Sequence, residues 1–525
     1  MKAVINQHNA PMIKLVIARF FHKPKICLTA VLLLLSLGIR AQLAQDIMQI
    51  KAEHDLMGGA VILFCSNGLA EQIHFGTADL GRQIPVTDST LFRMASISKS
   101  VTTLGFMKLV DQHLISLDTS ISAVLGYNVS NPSFPLSKIT PRMLLSHTSG
   151  IIDGSTYSDF LNATYNQNPM PNLSELLTPS GSFYTSDQFI MEPPGTWFNY
   201  SNVNFIVVAT LIEKVTGMRF DEFMRQEILV PMGISGSYNV NHIENLDNLA
   251  VLYRKSNGNW VAQADNYQGI QPVFGNLEGY IPGTNGGRFA PQGGLRINAA
   301  DLSKVFQLLL NHGNHQTTQI LSATAVEQML NDQWTYNGSN GNNYYNLFNS
   351  WGLGIHRILN IPQADVVLTG SDAMFGHPGE AYGLVSDAYV DTTRNLGLVF
   401  VTNGCGVGYE TNGESAFYTV EKQIFDALNP YADALNCDTL TFTTDNNQTI
   451  ELRLFPNPVK DQLYISLSNS EEPVSFTLFD LYGQALLTGT TRGATTQIPI
   501  EHFPAGLYLL VFDNNVGRVF RVCKR

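Results

Sequence analysis

Apolar positions in this chain follow two periods. From Val101 to Leu114 they (Val101, Leu104, Phe106, Met107, Leu109, Val110, Leu114) recur mostly at steps of three and four residues. That is the period of a helix, here one buried on more than one face. Phe92-Arg93-Met94-Ala95-Ser96-Ile97-Ser98-Lys99 runs directly into it, so the helix is expected to begin near Ser96. Leu43, Ile47, Ile50 and Leu56 mark an amphipathic helix over 43–57. Ala60 to Cys65 and Ile73 to Ala78 instead read as strands, joined through the turn Ser66-Asn67-Gly68.

From about 115 to 295 the chain is rich in Asn, Ser, Pro and Gly. Helices are expected within it at Pro141 to Ser146, Asn204 to Thr216 and Phe220 to Leu229, followed by one from Ala300 to His312 with Asp301 at its start. Strand patterns return at Asp365 to Leu368, Gly383 to Tyr389 and Leu396 to Thr402, and a helix from Thr419 to Leu428 closes the unit. Strands at both ends with helices between them predict an α+β domain over 42–430. Its antiparallel sheet, flanked by helices, is built from both ends and carries a mainly helical insertion. Residues 431–450 read as a linker. Beyond them, 451–525 carry short alternating runs (Gln462 to Leu467, Val474 to Phe479, Tyr508 to Phe512) broken by Asn457-Pro458, Tyr482-Gly483 and Pro504-Ala505-Gly506. Evenly spaced short strands predict a small C-terminal β-sandwich.

Composition narrows the setting. Residues 1–41 read as a signal peptide: Lys23 and Lys25 precede the apolar run Ile26 to Ile39, and Ala41-Gln42 offers a cleavage point, with Met12 an alternative start. The run is too short for a membrane span and the others are shorter, so no transmembrane helix is expected. Residues 1–41 hold six Lys or Arg and no acid, and without them the formal charge falls from −12 to −18. That argues against nucleic acid or an anionic membrane surface as partner. Of five cysteines, Cys27 lies in the signal; Cys65, Cys405, Cys437 and Cys523 remain. Three pairings are open in an exported chain, a bridge between Cys65 and Cys405 among them. No His/Cys cluster has metal-ligand spacing, so no metal and no cofactor are expected.

Candidate chemistry centres on Ser96 and Lys99. Residues i and i+3 share a helix face, which sets the Lys99 amine beside the Ser96 hydroxyl. The Ser96 N–H, unpaired in the first turn, is free to meet a developing negative charge. Ser-x-x-Lys alone reads more simply as a Ser N-cap before a solvated Lys, both residues being common. Two more clusters follow: Tyr200-Ser201-Asn202 ahead of a helix, and Gly376-His377-Pro378-Gly379 leading into Glu380-Ala381-Tyr382-Gly383 and a strand. Singly, the first is an ordinary capped helix start and the second an ordinary turn.

Together and in order, Ser-x-x-Lys, Tyr-x-Asn and His-x-Gly resemble the three active-site motifs of the serine β-lactamase and penicillin-binding-protein superfamily. The class C branch, which includes DD-carboxypeptidases, D-aminopeptidases and esterases, is the nearer. The resemblance runs from about 45 to 428 and includes Pro85-Val86-Thr87-Asp88, Ile115-Ser116-Leu117-Asp118 and Leu144-Leu145-Ser146-His147-Thr148-Ser149-Gly150. It continues in Pro193-Pro194-Gly195, Ile212-Glu213-Lys214-Val215-Thr216-Gly217, Pro231-Met232-Gly233 and Gly293-Gly294-Leu295. It implies that Ser96 forms an acyl-enzyme, that Lys99 and Tyr200 share the proton work, and that Asn202 orients Lys99 and the substrate amide. The second oxyanion donor is implied to be the Glu380 N–H, on the strand reached through Gly379. His147 reads as a structural hydrogen-bonder.

Two positions depart from the lactamase pattern. His377 stands where β-lactamases usually carry Lys; titrating near ~6.5, it is expected to lend charge that holds the Tyr200 phenol down. Pro378 replaces a hydroxyl residue and offers neither hydroxyl nor N–H. The tail, with Phe455-Pro456-Asn457-Pro458-Val459, Phe479-Asp480-Leu481-Tyr482-Gly483, Pro504-Ala505-Gly506-Leu507-Tyr508 and a final Lys524-Arg525, resembles the C-terminal sorting domain of type IX secretion. That resemblance implies the type IX machinery as partner and a secreted or surface-attached product. The expected function is a secreted serine hydrolase of the class C β-lactamase-like family, acting on a small amide, peptide or ester. A DD-carboxypeptidase or D-aminopeptidase on peptidoglycan-type peptides, or a non-catalytic surface-binding pseudoenzyme, are the alternatives.

Overall fold

A computed structural model describes residues 42–272, 277, 279–437, 451–455, 459–468, 474–480, 485–491, 495–512 and 519–524. The expected signal peptide, the linker beyond 437 and the tail turns at Asn457-Pro458 and Tyr482-Gly483 lie outside these residues. The chain divides into two compact units, Met1–Leu440 and Thr441–Arg525.

Both ends of the first unit build one sheet. Helix α1 (42–53) leads into β1 (Gly58–Cys65), β2 (Gly68–Asp79) and β3 (Ile84–Pro85). Helix α2 (Ile97–Asp111) follows, then α3 (Pro141–Leu145), α4 (Val203–Thr216) and α5 (Ala299–Leu310). The chain returns through β4 (Trp334–Thr335), β5 (Ser350–Trp351), β6 (His356–Ile358), β7 (Met374–Ala381), β8 (Leu384–Asp391) and β9 (Leu396–Thr402), and closes with α6 (Thr419–Ala434). The nine strands are ordered β4-β5-β6-β7-β8-β9-β1-β2-β3 with antiparallel neighbours. The α+β architecture expected from the sequence is the one observed.

Side-chain alternation sorts the sheet's two faces. Ala388 and Val390 of β8 join the core that contains Val101, Leu104 and Phe106 of α2. Tyr389, between them, turns the other way and meets Phe425 of α6 edge-on. With both faces covered, β1, β8 and β9 are buried along their whole length. Helix α2 packs against β7 and β8 on one side and α4 on the other, so nearly every position from Ile97 to Leu109 is buried. This explains its lack of a clean polar face.

Three expectations are corrected. Asp365–Leu368 is a turn rather than a strand; Val367 and Leu368 are buried from a loop, which the Asp365 carboxylate pins by accepting from the N–H groups of Leu359 and Ile361. His377-Pro378-Gly379 is not a turn but the middle of β7, a strand disguised by its Gly and Pro residues. Its partner β6 reaches only from Met374 to Gly376, so beyond that point β7 has an open edge that tolerates proline. The closing helix runs past Leu428, through Pro430, to Ala434.

Cys65 pairs with Cys437, not Cys405. Antiparallel pairing sets Cys65 opposite Leu396, at the start of β9, whereas Cys405 follows the end of β9, which lies beside Gly59. Cys65 and Cys405 therefore belong to opposite ends of the strand pair.

The second unit is a sandwich of a three-stranded and a four-stranded sheet. Leu463 and Ile465, Phe476 and Leu478, and Tyr508, Leu510 and Phe512 point alternately into a shared core.

Candidate active site

Ser96 stands at the N-cap position of α2, half-buried, its side chain making no capping hydrogen bond. The residue before it, Ala95, holds a φ of +44°, a costly conformation for a residue with a side chain. It is braced from outside the helix: Met94 N–H donates to the Leu295 carbonyl at 2.9 Å, and Leu295 N–H to Ser98 Oγ at 3.1 Å. The segment Pro291–Leu295 thus fixes the turn that presents Ser96.

One turn on, Lys99 is wholly buried. Its Nζ reaches three oxygens: Ser96 Oγ at 3.0 Å, Asn202 Oδ1 at 2.8 Å and the Gln292 carbonyl at 2.8 Å. Burial lowers its pKa to about 7, opposed by the charge of Asp153. A neutral amine has two N–H groups and one lone pair. Asn202 Oδ1 and the Gln292 carbonyl can only accept, so they take the two N–H groups and leave the lone pair for the Ser96 hydroxyl proton.

Tyr200 comes from the approach to α4, with its ring over Lys99, 4.9 Å from Nζ to the centroid. Its hydroxyl faces Ser96 outside normal hydrogen-bond geometry. Burial pushes this phenol well above its usual value, more strongly than the Ser96 hydroxyl lowers it. The expected depressed phenol is therefore not found; Lys99, not Tyr200, carries the lowered pKa. His147 stacks on Tyr200 at 4.4 Å, and its Nδ1 accepts from Ser201 N–H at 3.0 Å. It orders the Tyr200-Ser201 backbone, in the structural role the sequence suggested.

His377 sits on β7 with its ring 5.9 Å from that of Tyr200. Its Nδ1 donates to the Pro378 carbonyl at 2.6 Å, which fixes the proton there and leaves Nε2 bare. Burial first, then Lys99, hold its pKa well below the usual imidazole value. The charge expected on His377 near neutrality is therefore absent: a buried imidazole next to an ammonium stays neutral.

At Gly379 β7 passes close against the start of the helix. A Cβ there would lie 2.5 Å from Ser386 Oγ, 2.9 Å from the Met94 carbonyl and 3.2 Å from Ser96 N. Only glycine lets strand and nucleophile meet. Tyr382 and Gly383, with φ of +56° and +97°, turn β7 into β8 as a two-residue hairpin. In such a hairpin Ala381 and Leu384 exchange hydrogen bonds, so the alternate positions Glu380 and Pro378 point their nitrogens away from β8. Glu380 N–H therefore faces the open edge, on the side where Pro378 has nothing to donate. The Glu380 carboxylate is held elsewhere, by the Tyr418 hydroxyl.

Asp153 was not singled out from the sequence. It accepts from Asn202 Nδ2 at 2.7 Å, Val203 N–H at 2.9 Å and Ser201 Oγ at 3.3 Å. Gln292, whose backbone carbonyl holds Lys99, was also missed; a backbone acceptor leaves no mark on residue type. The seven residues proposed from the motifs come from three places: Ser96 and Lys99 from the start of α2, Tyr200 and Asn202 from the approach to α4, and His377, Gly379 and Glu380 from β7.

Comparison with known proteins identifies the family. Residues 41–414 match the family described as Beta-lactamase, and residues 453–521 the Secretion system C-terminal sorting domain. Penicillin-binding protein 4* of Bacillus subtilis is 27% identical over 36% of this chain and 40% of its own length. Penicillin-binding protein 4 of Amycolatopsis lactamdurans is 25% identical over 55% of this chain and 70% of its own. The fold is that of the octameric penicillin-binding protein homologue from Pyrococcus abyssi, at 19% identity with a TM-score of 0.56, covering 92% of this chain and 95% of that one. SurE superposes with a TM-score of 0.52, also at 19% identity, over 92% and 93% of the two chains. No helix among the described residues is long and apolar enough to cross a membrane. The chain belongs to the beta-lactamase and penicillin-binding-protein superfamily and ends in a secretion-system sorting domain that addresses it for export.

Proposed function

We propose that this protein is a secreted serine hydrolase of the class C β-lactamase-like branch, opening an amide or ester through an acyl group on Ser96. The observation that carries the reading is the Lys99 amine: buried, tuned to about 7 and 3.0 Å from Ser96 Oγ. A base with a pKa near the working pH is half in its active form and still a strong enough acceptor.

In the proposed cycle the Ser96 proton passes to Lys99 as Oγ bonds to the carbonyl carbon. The carbonyl oxygen takes the negative charge and is met by the N–H groups of Ser96 and Glu380, worth about 2.7–4 kcal/mol per donor in comparable sites. As the intermediate collapses, the leaving amine or alkoxide takes a proton from Lys99, directly or through the Tyr200 hydroxyl, which burial keeps protonated. Water then attacks the acyl carbon and gives a proton to Lys99; the bond from Ser96 Oγ to the acyl carbon breaks, Ser96 takes that proton back, and the acid leaves. Asn202, with one N–H given to Asp153, keeps a second to orient a substrate amide beside the reacting carbonyl.

Strand β7 contains no Lys or Arg, and His377 is neutral. Pro378 adds no hydroxyl. Within β7 itself a substrate carboxylate therefore finds no cation, which favours neutral esters and amides over penicillins. The test is covalent: a fluorophosphonate probe should label the wild type and not Ser96→Ala, with the variant still folded. Labelling that survives Ser96→Ala ends the assignment.

A further inference from the structure

Lys99 works as a base only if both of its N–H groups are spent on acceptors and its lone pair is left toward Ser96. The Gln292 carbonyl has no choice in this. Asn202 does: its amide presents oxygen at one end and N–H₂ at the other, and the two ends are nearly the same size. With N–H₂ toward Lys99, the amine would have to turn its lone pair to Asn202, and the nucleophile would lose its base.

We propose that Asp153 is a positioning residue whose carboxylate decides which end of the Asn202 amide faces Lys99. The inference rests on Lys99 being the base. A carboxylate only accepts, so the 2.7 Å contact with Asp153 Oδ2 demands Nδ2 on that side. Oδ1 is thereby turned to Lys99 Nζ at 2.8 Å. The other Asp153 oxygen is fixed by the Val203 N–H at 2.9 Å and the Ser201 hydroxyl at 3.3 Å, so the carboxylate is anchored at the start of α4 and does not rotate with the amide. The order of dependence is Asp153, Asn202, Lys99, Ser96, with Asp153 never touching the reacting atoms. Asp153 also faces Lys99 electrostatically, in a neighbourhood that includes Tyr157, Tyr200 and Tyr344.

A rival role is plain helix capping, since Val203 N–H opens α4. Asp153→Asn separates the two, because an asparagine oxygen still caps. The readout is the second-order rate of Ser96 labelling by a fluorophosphonate, followed against pH. Asp153→Asn should lower it on the order of 10²-fold, as loss of positioning does, and move the acid limb to lower pH. Combined with Asn202→Ala, it should cost no more than about threefold beyond Asn202→Ala alone, since both act through one amide. The exchanged pair Asp153→Asn/Asn202→Asp keeps the contact with donor and acceptor swapped and still shows oxygen to Lys99. It should recover labelling at high pH, its limb moved up by the carboxylate now touching the amine. Wild-type labelling by Asp153→Asn, losses that multiply in the double variant, or no recovery in the exchanged pair would each overturn the proposal. Absence of labelling in the wild type would instead strike the serine-hydrolase reading itself.

Discussion

Lys99 Nζ stands 3.0 Å from Ser96 Oγ, and the amine is wholly enclosed, so its pKa falls to about 7. Burial is the larger cause and Asp153 opposes it. Because the base must be neutral to take the Ser96 proton, acylation should be at its plateau above pH 7 and fall about tenfold per pH unit well below it. Lys99→Arg, charged at every accessible pH, should lose on the order of 10²–10⁴ in rate. Stopped-flow acylation between pH 5 and 9 checks both.

His377 should leave no mark on that profile. Its imidazole is neutral near pH 7 because burial and Lys99 hold its pKa well below the usual value. His377→Gln, neutral at all pH, is expected to keep the acid limb near 7 even if the plateau drops. A limb that disappears or moves by more than about half a unit would assign it to His377 rather than Lys99.

Gly379→Ala tests the contact between strand and nucleophile. The added methyl would collide with Ser386 Oγ and the Met94 carbonyl and crowd Ser96 N. The strand must retreat, and the Glu380 N–H retreats with it. A fall in kcat on the order of 10²–10³ is expected, as for loss of one oxyanion donor, with circular dichroism unchanged. Turnover by the Gly379→Ala variant within about threefold of wild type would remove Glu380 N–H from the oxyanion site.

The Cys65–Cys437 bridge ties the end of β1 to the chain just past α6, closing a loop of 372 residues. Removing such a cross-link by Cys437→Ser should cost about 2–5 kcal/mol and lower Tm, because the unfolded chain regains its freedom. Neither cysteine lies among the groups around Ser96, so kcat in the folded variant should match the wild type. Thermal melts with and without reductant, beside steady-state kinetics, measure the two effects.

Much of the molecule is written in local sequence. The period of Val101 to Leu114 determined α2, the alternation of Leu463, Ile465, Phe476 and Leu478 determined the tail strands, and Ser96, Lys99, Tyr200 and Asn202 were visible as residue types at helix starts. These are consequences of side-chain periodicity and spacing, which operate over a few residues. Strand β7 escaped because Gly376, Pro378 and Gly379 are local strand-breakers; the Tyr389 ring gives Gly376 its reason, the unpaired edge Pro378, and the approach of Ser96 Gly379. The charge states were out of reach too. A free Lys titrates near ~10.4 and a free His near ~6.5, and both are lowered at this site by burial that depends on packing among α2, α4 and β7. Asp153, 49 positions from Asn202, acquires its meaning only when folding sets it against that amide. Sequence named the reacting groups. Which of them holds a proton at neutral pH was decided by the distant chain that excludes water from them.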